Sequence, residues 1–279
     1  MKIVSIDRLE DVEELQVYTD FKENQLMHIN EPDLGVFIAE SPKVITRALR
    51  AGYKPISILK EVGVNDSETM EVLEKLKNEE LIVYEAPTKE IANLTGYKLL
   101  RGMVCAMKRK VLPSLEDICK GKSRIVVLED VVNPSNVGAI IRSAAAMKAQ
   151  GVVLTAACSD PLYRRAARVS MGTVFQVPWT VLGKNQWPDA MDKLREMGYK
   201  TASMALTNDS VSIDDDRLMR EEKLAIIMGT EGEGLKEETI KGADECVFIP
   251  MAGKTESLNA SVSAALLMYE AARQRGYGI

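Results

Sequence analysis

The sequence predicts an α/β protein with a parallel sheet in its C-terminal half and a second, smaller α/β domain before it. Three observations carry this prediction. Short β-branched runs alternate with helical stretches along most of the chain, the pattern of strands joined by crossover helices. The 279 residues, 46% of them apolar, exceed what one domain of roughly 100–200 residues needs. A polar, basic stretch from Lys108 to Arg124, containing Pro113 and Gly121, interrupts the alternation near the middle. The expected division is a domain over 1–110, a linker over 111–123 with one short helix at Ser114 to Cys119, and a domain over 124–279.

In order along the first half, residues 7–30 mix acidic and apolar positions and read as helical. Gly35 to Glu40 is a short apolar strand, and Ser41-Pro42 opens a helix ending at Gly52, serine as N-cap and proline at the first helical position. Ile56 to Leu59 reads as strand, Ser67 to Asn78 as helix, Leu81 to Tyr84 as strand, Thr88 to Leu94 as helix and Met103 to Met107 as strand. The second half alternates again. Strands are expected at Ile125 to Leu128, Val152 to Leu154, Val174 to Val177, Lys200 to Met204, Leu224 to Met228 and Cys246 to Ile249. Helices are expected at Val137 to Ala149, Leu162 to Arg168, around Ala190 to Met197, briefly after the glycine-rich loop, and from Leu258 to Arg275. In the last helix Val262, Ala265, Leu266, Tyr269 and Ala272 form an apolar stripe, expected to face the core, with a second subunit as the other way to cover it.

Composition excludes several classes. No apolar run reaches the ~20 residues that span a bilayer, and Met1 to Glu14 lacks the basic-then-apolar pattern of a secretory signal, so a cytoplasmic protein is expected. Cys105, Cys119, Cys158 and Cys246 are scattered without zinc or disulfide spacing, and no metal is expected. The single histidine, His28, lies far from every motif, which removes histidine-based triads. Net charge is −5, and neither half, divided at Lys110, is net basic. Contact with nucleic acid therefore depends on local patches: Lys108-Arg109-Lys110, Lys120 to Arg124, and Arg164-Arg165 with Arg168. Each reads first as a solvated face.

Three segments of the second half could carry chemistry, each where a strand ends, the edge at which open α/β sheets bind ligands. In Asn133-Pro134-Ser135-Asn136-Val137-Gly138, Ser135 or Asn136 reads as a helix cap, and Arg142 follows on an otherwise apolar helix that leaves its guanidinium in need of a partner. Gly138, four residues earlier, leaves room for that side chain to reach back toward Asn136. Gly229-Thr230-Glu231-Gly232-Glu233-Gly234-Leu235 is a tight strand-to-helix turn whose glycines permit positive φ. Its two acids suit a cationic ligand better than a phosphate. In Ile249 to Ser261, Gly253-Lys254-Thr255 lacks the glycine five residues earlier that a P-loop requires, so ATP hydrolysis is discarded, and Ser257 and Asn259 flank the start of the last helix as capping candidates.

Together, in this order and spacing, the segments resemble the three signature motifs of the SpoU (TrmH) family of RNA 2′-O-methyltransferases over roughly Arg124 to Arg275, including Val169-Ser170-Met171-Gly172-Thr173. Asn133 stands where that family frequently has aspartate, and Ala260 where it has valine. More loosely, Phe37-Ile38-Ala39-Glu40 through Gly52 and Arg101-Gly102-Met103-Val104 are similar to the small α/β RNA-binding domain often attached to this family. The resemblance implies a SPOUT-type parallel α/β domain with a deep trefoil knot, a homodimer, S-adenosylmethionine as cofactor and RNA as substrate, ribosomal RNA ahead of transfer RNA. It implies Asn136, Arg142, Glu231, Ser257 and Asn259 as functional residues, and Gly229, Glu231, Gly234, Ile249, Met251 and Leu258 around the cofactor. The competing expectation is a non-catalytic RNA-binding or ribosome-assembly factor on the same scaffold.

Overall fold

The computed structural model describes residues 1–95, 102–253 and 257–276. Arg101, Lys254, Thr255 and Glu256, quoted above, lie outside the described residues. In chain order the elements are β1 (Lys2–Ser5), α1 (Gln16–Thr19), α2 (Glu23–His28), β2 (Val36–Glu40), α3 (Pro42–Arg50), β3 (Pro55–Glu61), α4 (Ser67–Leu76), β4 (Ile82–Ala86), α5 (Thr88–Thr95) and β5 (Met103–Lys108). There follow α6 (Leu115–Cys119), β6 (Arg124–Leu128), α7 (Pro134–Ala146), β7 (Gly151–Leu154), α8 (Arg164–Val169), β8 (Trp179–Val181), α9 (Ala190–Glu196) and β9 (Lys200–Met204). The chain finishes with β10 (Val211–Ser212), α10 (Asp216–Met219), β11 (Leu224–Met228), α11 (Glu237–Gly242), β12 (Glu245–Phe248) and α12 (Ala260–Gln274).

The chain divides into two compact units. The first, Met1–Val111 with Leu162–Phe175, holds a five-stranded sheet in the order β1-β4-β3-β5-β2. β1, β4 and β3 run parallel, and β5 pairs antiparallel with both β3 and β2. The second unit, Leu112–Pro161 with Gln176–Ile279, holds a seven-stranded sheet, β10-β12-β9-β11-β6-β7-β8, with every pair parallel. Its central strands β6 and β11 are buried at every position, as a parallel sheet covered on both faces requires. Ile125, Val127, Ala225 and Ile227 pack with Leu115, Ile118 and Leu194 on one such face. From β6 the chain runs out through β7 to β8, then returns to lay β9 and β11 on the other side. The crevice between β6 and β11 is therefore the switch point where such sheets take ligands.

The second unit differs from the sequence expectation in one respect that matters for the division. The expected domain 124–279 is continuous, whereas Leu162–Phe175 groups with the first unit. There α8 packs on β2, and Phe175 joins Phe37 and Tyr53 in an aromatic cluster with ring centres 5.2–5.9 Å apart. This explains why no strand forms at Val174 to Val177: Thr173–Phe175 is a 3₁₀ turn, and the strand begins at Trp179.

Other local differences have local causes. Residues 7–30 break into 3₁₀ turns and two short helices, because the acids Glu10, Asp11, Glu13 and Glu14 repel at helical spacing. Tyr18 meanwhile is held by Ser57 and the Ala106 amide. Ser41 sits at φ 86° with no side-chain cap bond, so proline alone marks the helix start. The α12 stripe mostly faces outward: Val262, Leu266 and Tyr269 are 47%, 39% and 44% exposed, while Ala264, Leu267, Met268 and Ala271 are buried. The buried side faces α7, whose own surface is rich in alanine and glycine, so small residues set the inward face. Among the described residues no helix is long and apolar enough to cross a membrane.

Candidate active site at the β6/β11 crevice

The turn after β6 ends in Asn133, whose side chain accepts from the Ser135 amide and caps α7, with Pro134 at the first helical position. Asn133, not Ser135 or Asn136, is the cap. The Asn136 side chain is therefore free for other work, and although only 6% exposed it donates from Nδ2 to Glu231 Oε1 at 2.9 Å.

Glu231 stands in the turn after β11. That turn folds back on itself: Thr230 N donates to Gly234 O at 3.0 Å, closing a two-residue bridge. A Cβ on Gly229 would lie 2.2 Å from the Gly234 carbonyl oxygen, so no residue other than glycine fits there. Gly232 and Gly234 adopt φ of 92° and 72°, which glycine reaches without steric cost. The closed turn presents Glu231 at its exposed side.

The third segment arrives through Asn259, the N-cap of α12. Its Oδ1 accepts from the amides of Ser261 (3.0 Å) and Val262 (3.4 Å). Its Nδ2 donates to Asn136 Oδ1 at 3.3 Å and to Glu231 Oε1. One amide thus caps a helix with its oxygen and joins the cluster with its nitrogen, so the capping and functional readings of Asn259 are both satisfied. The three strand-end segments meet in a single hydrogen-bonded group, Asn136–Glu231–Asn259.

Beneath the cluster lies a second set of side chains that sequence reasoning missed. Glu129, the residue after β6, is 1% exposed. Its Oε1 accepts from Trp187 Nε1 (3.1 Å) and Thr239 Oγ1 (2.9 Å), and its Oε2 from the Lys236 amide (3.2 Å) at the start of α11. It therefore ties down the far end of the Gly229–Leu235 turn. Burial pushes its carboxyl above the ordinary range, partly offset by the Thr239 and Lys236 hydrogen bonds. Its neighbour Asp130, at φ 53°, pairs with Lys236 Nζ at 2.8 Å and accepts from Thr155 Oγ1 at 2.7 Å. Burial alone would raise the Asp130 pKa, but the Lys236 ammonium and the Thr155 hydroxyl outweigh it and hold it low; the same pairing raises Lys236. The signal available in sequence was the pair Glu129-Asp130 directly after an apolar strand.

The remaining expected residues are placed as follows. Arg142 is exposed on the outer side of α7 and makes no hydrogen bond or ion pair among the described residues; it does not reach back to Asn136 in the way the spacing at Gly138 had suggested. Ser257 is exposed just before α12. Ile249, Met251 and Leu258 are half-buried, and among the described residues no hydrogen bond uses their backbone N–H groups. A cavity of about 350 Å³ between α6, β8 and α9 contains none of these residues; its charged Glu116–Lys193 pair is a surface contact at 3.6 Å. No group of three or more His, Cys, Asp or Glu among the described residues could hold a metal.

A parallel sheet with polar side chains gathered over the carboxyl ends of its two central strands defines an α/β protein of the ligand-binding, switch-point class. Within that class the SpoU rRNA Methylase family model matches residues 123–269, and the chain belongs to that family. It is 32% identical to an uncharacterised tRNA/rRNA methyltransferase of Mycobacterium tuberculosis over 87% of this chain and 84% of that one. Among solved structures it is similar to an AdoMet-bound rRNA methyltransferase from Sinorhizobium meliloti, at TM-score 0.81 and 25% identity over 97% of this chain and 98% of that one. It also shares the fold of an RNA 2′-O ribose methyltransferase, at TM-score 0.74 and 24% identity over 98% of this chain and 99% of the other.

Proposed function

We propose that this protein transfers a methyl group from S-adenosylmethionine to a ribose 2′-hydroxyl of a structured RNA, ribosomal RNA ahead of transfer RNA. The observation that carries the reading is the Asn136–Glu231–Asn259 cluster, in which the three motif segments converge at one crevice. Membership of the SpoU rRNA Methylase family and likeness to the AdoMet-bound enzyme of S. meliloti support the cofactor and the RNA substrate. The motif resemblance supports the ribose oxygen.

The crevice suits the cofactor. Half-buried Ile249, Met251 and Leu258 offer apolar surface, and their backbone N–H groups, without a hydrogen-bond partner among the described residues, offer donors. Gly229, Gly234 and the Glu231 carboxylate complete the set, the carboxylate favouring a cation. S-adenosylmethionine supplies an electrophilic methyl on such a cationic centre. The protein's share is positioning, which can account for much of a rate in a two-reactant transfer. On this reading Arg142, whose guanidinium has no partner among the described residues, is held by the RNA it contacts and stabilises negative charge on the attacking ribose oxygen, and Ser257 holds the hydroxyl or the cofactor. Among the described residues no thiol joins the cluster; Cys158 donates to Leu128 O, and burial raises its pKa.

The same reading makes the chain a cytoplasmic homodimer with a trefoil knot in its methyltransferase domain. The outward Val262, Leu266 and Tyr269 of α12 are the apolar surface for a second copy. The first unit serves as the RNA substrate-binding domain (1–110), residues 111–123 as the linker and 124–279 as the methyltransferase domain, with Leu162–Phe175 lent to the first unit's packing.

The test is incubation of the protein with bacterial ribosomal and transfer RNA and methyl-labelled S-adenosylmethionine, followed by alkaline hydrolysis. A 2′-O-methyl group removes the nucleophile that cleaves the adjacent phosphodiester, so label in alkali-resistant dinucleotides is expected. Label only in mononucleotides places the methyl on a base and contradicts the ribose assignment; cofactor binding with no transfer to either RNA favours the assembly factor.

A further inference from the structure

Members of all three basic clusters in the sequence take part in the fold. Lys110 Nζ donates to Ala51 O at 2.5 Å and lies 4.7 Å from the centre of the Tyr53 ring. Arg124 is buried, with Nη2 donating to Lys148 O at 3.1 Å, and partial burial lowers the Lys122 pKa. The third cluster, on α8, is different because a second helix adds to it.

The link is Glu40. This carboxylate ends β2, its side chain 7% exposed, and pairs with Arg164 at 3.6 Å and Arg168 at 3.4 Å. The next residues, Ser41-Pro42, begin α3, so the pairing holds α8 beside the start of α3. Farther along α3, Arg47 donates from Nη1 to the Met171 carbonyl in the turn after α8. The outward side of α3 carries Lys43, Arg47 and Arg50, one helical face at intervals of four and three residues. The outward side of α8 carries Arg165 with Arg168. All of this lies within the first unit; three of its carboxylates touch these helices, Glu40 as described, Glu71 of α4 pairing with Arg50 at 3.5 Å and Glu23 accepting from the Arg164 amide, while Asp7, Glu10, Asp11, Glu13, Glu14 and Asp20 form a run nearer the N-terminus. In a chain of net charge −5, the six cations of α3 and α8, five of them arginine, outnumber the three carboxylates, Glu23, Glu40 and Glu71, in contact with these helices. Arginine's planar fork matches phosphate oxygens two at a time.

We propose that this α3–α8 face is where the first unit grips the phosphate backbone of RNA; the inference rests on the RNA reading above and deepens it by assigning the surface. Phe37, Tyr53 and Phe175 are packed against one another, and recognition here is assigned to backbone and shape.

The test compares two sets of exposed substitutions in the same unit: Lys43→Gln/Arg50→Gln/Arg165→Gln on the face, and Lys2→Gln/Lys77→Gln/Lys89→Gln away from it. A Lys43→Gln/Arg50→Gln double leaves α8 untouched should the triple lose stability. The probe is purified bacterial ribosomal RNA, with affinity measured by filter binding across a salt series and cofactor affinity by calorimetry. The face triple is expected to weaken binding about 10- to 100-fold at physiological salt, and to lower the slope of log affinity against log salt by about one per lost phosphate contact. The control set is expected to stay within about twofold, as counterion release requires for charges away from the RNA, and S-adenosylmethionine affinity is expected to be equal in both. Equal losses in the two sets, or an unchanged salt slope in the face triple, would overturn the assignment, as would a wild type that binds no RNA. Face-dependent RNA binding by a protein that transfers no methyl group upholds the assignment and removes the methyltransferase reading instead.

Discussion

Two carboxylates hold the same turn from opposite sides and for opposite reasons. Glu129 is buried under the Gly229–Leu235 turn and accepts from an indole, a hydroxyl and a backbone amide. Glu231 is exposed on the turn's outer side and accepts from two side-chain amides, those of Asn136 and Asn259. Glu129 faces no solvent and no substrate, so its hydrogen bonds act on the fold. Glu231 is accessible, and its partners come from the two other motif segments, so its hydrogen bonds act on the shape of the site. Two acidic residues within one site thus belong to different links of the chain from sequence to function, one to stability and one to ligand geometry.

The largest expected effect comes from removing the buried member. Glu129→Ala leaves the Thr239 hydroxyl and the Lys236 amide without their acceptor and the Trp187 N–H with Thr239 Oγ1 alone, and at about 1–3 kcal/mol per unsatisfied buried group the loss should be about 2 kcal/mol or more by urea unfolding. Glu231→Ala, on the exposed side, should stay within about 1 kcal/mol of wild type. Equal stability losses in the two variants would erase the distinction drawn here.

A smaller effect sharpens the same contrast through pH. The folded-state pKa of Asp130 is held low, so its pairing with Lys236 contributes stability that is present above the unfolded carboxylate pKa of about 4 and is lost as pH falls through the lower folded value. The raised pKa of Glu129 has the opposite sign: stability declines as pH rises from the unfolded carboxylate value through the higher folded one. In thermal melts over acidic pH, Asp130→Asn should flatten the loss of stability at the acid end, and Glu129→Gln should flatten the decline above it. An Asp130→Asn melt profile parallel to wild type at low pH would contradict the pairing.

Much of this arrangement was legible in sequence because it is local. Each motif follows an apolar run that reads as a strand, and the glycines at 229, 232 and 234 announce a turn that only glycine can close. What was not legible depends on distant partners. Glu129 looks like any acid after a strand until Trp187 and Thr239, 58 and 110 residues away, fold against it. The α12 stripe has helical periodicity on both sides of the helix, and periodicity does not say which side meets the core; the close packing of small residues against α7 decides it. Asn136 and Ser135 were both plausible caps by residue type, and the side chain of Asn133, accepting from the Ser135 amide, made the choice. The lending of Leu162–Phe175 to the first unit rests on Glu40 and Phe37, which no pattern within that segment reveals.

The most direct test is a calorimetric titration of S-adenosylmethionine into the wild-type protein and into Glu231→Ala, with melting temperatures recorded alongside. The wild type should bind saturably, and the variant should bind at least about tenfold more weakly, about 1.4 kcal/mol, at a nearly unchanged melting temperature. A wild type that takes up no S-adenosylmethionine, or a variant that takes it up as tightly as wild type, contradicts the view that the turns over β6 and β11 assemble a cofactor site through this carboxylate.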